Sequence, residues 1–164
     1  MKRTILCTAL LLCMSLQFMA QTTIALTIDK EVKSPETFEG VWQMARILDI
    51  NDEEVKGVFL PIFKIYGNDS TFRNISFANG MGAGLLLTHG TFKIDDKGSY
   101  TESIVASATD PLIVGKDNVL KYKYLKPHVI LISYKLPNLT RPSYELWLKV
   151  KMPNFKKTSK EVAL

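Results

Sequence analysis

From Gly40 onward the chain is punctuated in one repeating way. Runs rich in Val, Ile, Leu, Thr, Phe and Tyr recur between clusters of Gly, Asn, Asp and Pro, with no long helical period anywhere among them. The pattern begins at Gly40-Val41-Trp42 and predicts eight short strands, over residues 41–48, 58–66, 71–77, 85–94, 99–108, 119–125, 129–136 and 144–152. Within them the period is two. Leu120, Tyr122 and Tyr124 alternate with Lys121 and Lys123, and Ile130, Ile132, Tyr134 and Leu136 share one face. In the last run Tyr144, Leu146, Leu148 and Val150 take one face, which leaves Glu145, Trp147 and Lys149 for the other and places Trp147 outside. Pro61 removes a ladder donor, so its strand needs an edge, a bulge or a bend there.

Short links, with Asp95-Asp96-Lys97-Gly98 the clearest hairpin signal, join neighbour to neighbour. An antiparallel meander of this size closes into an up-and-down barrel or splits into a sandwich, and closure removes the exposed edges. The expected fold class is therefore all-β, an eight-stranded antiparallel up-and-down barrel. Such a barrel is just wide enough inside for its own side chains or one small ligand.

Ahead of the strands, Met1-Lys2-Arg3, an apolar run over 5–12 and Phe18-Met19-Ala20 have the order of a secretory leader, with 1–20 removed. That run is too short for a membrane span. The expected organisation is a leader over 1–20, an N-terminal extension over 21–37, the barrel over 38–153 and a tail over 154–164, with an exported location, periplasmic or secreted. Cys7 and Cys13 are the only cysteines and both fall in the leader, so the mature chain can have neither a disulfide nor a thiolate site. It must depend on its core. The net charge of +5 falls to +3 without Lys2 and Arg3, too mild an excess to predict a nucleic-acid partner.

Few residues suggest chemistry. The segment Asn79-Gly80-Met81-Gly82-Ala83-Gly84 lacks the Lys-Ser/Thr of a phosphate loop and reads as a flexible link. His89 and His128 are the only histidines and both read as surface residues, so no metal site or imidazole-based catalysis is expected, and no cofactor. Glu102 and Glu145 each share a strand with apolar neighbours. Arg46 has the parity of Trp42, so an inward Trp42 would bring Arg46 inside, as half of an internal ion pair or as an anchor for a ligand's polar head. The candidate lining is Trp42, Met44, Arg46, Phe77, Phe92, Tyr100, Glu102, Tyr122, Tyr124 and Tyr134. That composition suits a small-molecule pocket and equally a packed core.

Several local sequences together resemble one family: Gly40-Val41-Trp42-Gln43, Gly90-Thr91-Phe92-Lys93, Tyr100-Thr101-Glu102, Gly115-Lys116-Asp117-Asn118, and Tyr144-Glu145-Leu146-Trp147 with Val150. The set is similar to the lipocalin-like family called domain of unknown function 4488, secreted proteins of gut anaerobic bacteria, and spans residues 38–152. The resemblance implies an exported barrel shaped like carriers of small apolar ligands, and it brings no known activity with it. The functional expectation is a non-enzymatic barrel binding a small apolar or amphipathic ligand. The alternative is a filled barrel acting through its loops on a protein or glycan.

Overall fold

The computed structural model describes residues 22–32, 37–77, 83–95, 98–135 and 140–151. The expected leader over 1–20, the tail over 154–164 and the centre of the glycine-rich link lie outside the described residues. The described residues form nine strands: β1 (Thr23–Thr27), β2 (Gly40–Ile50), β3 (Glu54–Tyr66), β4 (Thr71–Ser76), β5 (Leu85–Asp95), β6 (Ser99–Ser107), β7 (Asp117–Lys126), β8 (Val129–Tyr134) and β9 (Ser143–Lys149). A one-turn 3-10 helix, Pro111–Ile113, interrupts the β6–β7 link. Among the described residues no helix is long and apolar enough to cross a membrane.

β2 to β9 pair in sequence order, all antiparallel, and β9 returns to pair with β2, closing an eight-stranded up-and-down barrel. The closing pairs run from Trp42–Lys149 to Ala45–Leu146. Beyond Ala45, β2 pairs only with β3, and that half of β3 also pairs with β1. The three strands leave the barrel wall as a flap. The bend lies at Pro61, where two positions of β2, Gln43 to Ala45, face four of β3, Phe63 to Phe59. Proline's missing donor matters little there, because β3 is exchanging β1 for β4 as its neighbour at that point. Gln43 Nε2 donates to the Leu60 carbonyl (3.1 Å), which gives this acceptor a partner within the bulge.

Strand alternation then produces two cores. On β8, Ile130, Ile132 and Tyr134 point into the barrel, whereas Val129 and Leu131 point outward; on β9, Trp147 points in and Leu146 and Leu148 point out. The outward set is not solvated. Ala45, Val55, Leu125, Val129 and Leu146 form a buried cluster completed by Ile24 and Leu26 of β1, with Ile28 just after it. Asp29 fastens the end of this segment, donating its N–H to the Leu125 carbonyl (3.0 Å) and pairing with Lys126 (2.7 Å). Residues 22–32, the described part of the expected extension over 21–37, thus supply one layer of the second core. They also approach the first, since Val32 packs against the interior cluster.

This second core overturns the expected position of Trp147. The polar partners Glu145 and Lys149 suggested an outer face for it, yet Trp147 is buried in the barrel because the outside of β9 is itself covered.

Glycines carry two close approaches. Gly40, at φ +123°, turns the chain into β2 so that Phe38 folds back into the barrel, where its carbonyl accepts from Trp42 Nε1 (2.7 Å). At Gly90 a Cβ would overlap the Ser103 carbonyl oxygen of β6, beside the register shift at which Val105 is the extra residue of β6.

Leu146→Ala should destabilise the protein by about 2–5 kcal/mol in urea unfolding, as expected for a fully buried leucine. Leu26→Asp should also lower the midpoint, whereas Leu48→Ala, on an exposed position, should change stability by less than about 0.5 kcal/mol. A Leu146→Ala protein as stable as its parent would mean that the outer cluster does no structural work.

Candidate functional site

The barrel is packed at one end and open at the other. The packed end is aromatic: Phe38 lies 5.3 Å from Tyr66, 5.0 Å from Tyr100 and 4.9 Å from Tyr122, the last two edge-on, with Phe92 4.8 Å from Tyr66 and Tyr124 5.9 Å from Tyr122. Edge-to-face rings at such distances are favourable pairings and leave little free volume. Phe38 sits at the centre of this plug, and Gly40 permits the turn that places it there.

Above the plug, toward the end that carries the β4–β5, β6–β7 and β8–β9 links, lies a polar layer. Lys64 of β3 and Glu102 of β6 are each 4% exposed and form an ion pair, Nζ to Oε1, at 2.7 Å. Tyr100 donates to the same oxygen (3.2 Å), and the Tyr66 hydroxyl lies 3.2 Å from that of Tyr100 and 3.4 Å from Glu102 Oε1. The Lys64 ammonium also sits 5.2–5.8 Å from the ring centroids of Trp147, Phe72 and Tyr66. A second carboxylate, Glu145 of β9, accepts from the Tyr134 hydroxyl (3.0 Å) through Oε1 and from Trp147 Nε1 (2.9 Å) through Oε2.

The electrostatics follow from that arrangement. Burial by itself would make Lys64 a weaker base, but the Glu102 carboxylate, then Tyr66 and Glu145, outweigh burial and hold the ammonium protonated well above its usual range. Burial raises Tyr66, Tyr100 and Tyr124, so their phenols stay neutral. Tyr134 is pushed up to about 12, first by burial and then by the Glu145 carboxylate it faces.

Over this layer opens a cavity of about 640 Å³. Its apolar wall includes Met44, Ile62, Ile104, Leu120 and Trp147; Lys64, Glu102 and Glu145 face it from below, and Asp110, Lys116, Asp117 and Lys135 stand at its mouth. Asn74 also lines it and donates to Thr88 Oγ1 (2.8 Å), while its buried Oδ1 has no protein partner.

Of the candidate lining residues, Met44, Glu102 and Tyr134 do line the cavity. Phe92, Tyr100, Tyr122 and Tyr124 belong to the plug below it, and Trp42 is packed beneath Phe38's carbonyl. Two positions differ outright from expectation. Arg46 is exposed, because β2 has already parted from β9 at Ala45 and Arg46 belongs to the flap, opposite Val58. Phe77 is 45% exposed, following the end of β4 and packing edge-on against Phe63 rather than inside. The internal cation is Lys64, which sequence reasoning passed over. Its signal was a single lysine inside the apolar run over 58–66, in phase with Ile62 and Tyr66. Among the described residues no three His, Cys, Asp or Glu side chains converge as a metal-binding group.

Residues 37–158 match the family domain of unknown function (DUF4488). The chain belongs to this family. The match begins at the residue before Phe38 and therefore takes in the plug, all eight barrel strands and the closing β9, but not β1. No curated protein matches the chain.

Glu102→Ala should cost about 3–5 kcal/mol, since it strands the Lys64 charge inside the barrel, whereas the double change Lys64→Met with Glu102→Leu should restore most of that loss. Urea midpoints of the parent, single and double variants decide it; a double variant no better than the single one would show that the pair is not the unit. Stability should also fall in alkali. Lys64, Tyr66, Tyr100, Tyr124 and Tyr134 all keep their protons in the folded state to higher pH than when unfolded. Above pH about 10 the unfolded chain therefore binds fewer protons, and each such group takes away up to about 1.4 kcal/mol per pH unit until its own folded-state titration. Tyrosinate absorbance rising together with loss of folded signal, rather than before it, is the expected result.

Proposed function

We propose that this barrel is a binding protein, not an enzyme, and that it takes a small apolar or amphipathic ligand through its open end. The observation that carries this reading is the cavity of about 640 Å³, within the range usual for small-molecule sites, with apolar walls and a few converging polar groups. The barrel is filled only on the Phe38 side, so the polar layer forms a floor under the cavity. The two interior carboxylates are engaged by Lys64, Tyr100, Tyr134 and Trp147, an arrangement suited to holding a fixed binding surface. Export is part of the same proposal and rests on the basic and apolar order of residues 1–20.

N-phenylnaphthylamine, a neutral apolar probe, should brighten on binding to the protein. Ile104→Trp and Leu120→Trp, which place a larger ring in the cavity, should weaken that binding at least about tenfold through overpacking and lost volume. Leu112→Trp, on an exposed link, should leave it unchanged. Absence of any probe binding would favour the other reading, a barrel that works through its loops. N-terminal sequencing of protein recovered from the periplasm or medium of an expressing bacterium should begin after Ala20; recovery of intact Met1 only from the cytoplasm would refute export.

A further inference from the structure

The interior charges do not balance. Lys64 contributes one positive charge and Glu102 and Glu145 two negative ones, while at the mouth Asp110 and Asp117 are matched by Lys116 and Lys135. Lys64 is moreover already engaged by a carboxylate. It is 4% exposed, bound to Glu102 at 2.7 Å and enclosed by the rings of Trp147, Phe72 and Tyr66. The carboxylates differ in this respect. Among the described residues the hydrogen bonds to Glu102 all go to Oε1, which leaves the second oxygen of this cavity-lining side chain to face a ligand. Glu145 accepts one bond at each oxygen and, among the described residues, forms no ion pair at contact distance although Lys64 feels its charge, and each carboxylate oxygen can accept more than one bond. At the depth of Glu102 and Glu145 an anionic head group would meet two carboxylates, while Lys116 and Lys135, which form no ion pair among the described residues, line the cavity at its mouth.

We propose that the cavity selects amphiphiles with a cationic head, an alkylammonium group seated against Glu145 and the second oxygen of Glu102, with the apolar part against Met44, Ile104 and Leu120. The proposal rests on the reading of the cavity as a ligand site and adds the sign of the ligand's charge. Tyr134 and Trp147 line the same cavity, and aromatic rings attract an ammonium group where it is desolvated.

Three ligands with one tail separate the two claims: decylammonium, decanol and decanoate, each below its aggregation concentration and each competing with N-phenylnaphthylamine on the full mature chain. A charge-assisted hydrogen bond contributes enough to make decylammonium bind roughly tenfold to a hundredfold tighter than decanoate, with decanol between them. Decanoate equal to or tighter than decylammonium would overturn the charge inference and leave the cavity reading standing. Displacement of the probe by none of the three would overturn both. Glu145→Gln should bring decylammonium to within a few-fold of decanol on the same variant, its circular dichroism spectrum reporting an intact fold; an undiminished preference for decylammonium would remove Glu145 from the site.

Discussion

Closure of the sheet rests on a short contact. β2 and β9 are paired only from Trp42–Lys149 to Ala45–Leu146, yet this contact turns an open meander into a barrel with an inside. Every later feature depends on it. Trp42 and Trp147 reach the interior from the two closing strands, and the Lys64–Glu102 pair is buried only because the wall is complete around it. An open sheet would leave β2 and β9 as long edges and that ion pair in water, where such a pair contributes little.

Closure also creates a problem that the N-terminal segment resolves. β8 is apolar on both faces and β9 on its outer one, so a barrel of β2 to β9 alone would expose Val129, Leu131, Leu146 and Leu148 on its outer surface. The bulge around Pro61 lets the β2–β3 arm turn outward, and β1 adds its third strand, so that Ile24, Leu26 and Val55 cover this surface. The same segment then runs on to Phe38, whose ring completes the aromatic plug. One stretch of chain therefore seals both the outer face and the packed end, leaving the other end free for a cavity with a polar floor.

The strand pattern was legible because alternation and turn chemistry are local. The predicted runs coincide with β2 to β9 to within a few residues, apart from β3, which starts at Glu54 rather than at Val58. β1 was missed. Five residues, Thr23–Thr27, show two apolar side chains in alternation, too brief a signal without the cluster beneath. The site was legible in part. Glu102, Met44 and Tyr134 followed from parity, but Arg46 did not, since parity along β2 stays valid while the strand itself leaves the barrel. Trp147 was placed outside because charged neighbours were taken to mark the wet face. In fact Glu145 is a hydrogen-bonded interior carboxylate and Lys149 reaches back over the Trp42 ring (5.5 Å).

By itself the sequence determined an all-β chain of short antiparallel neighbours, strands with no cysteine among them to staple it, and the membership that its matching residues carry. These depend on side-chain period, turn residues and composition, which act over a few residues at a time. Only the tertiary structure decided which faces were inside, that there are two cores, and that Lys64 is the cation buried against Glu102. The reason is physical: a strand's two faces are equivalent until closure and the covering flap assign one to the interior, and a buried charge is tolerated only beside a partner that, here, lies 38 residues away along the chain.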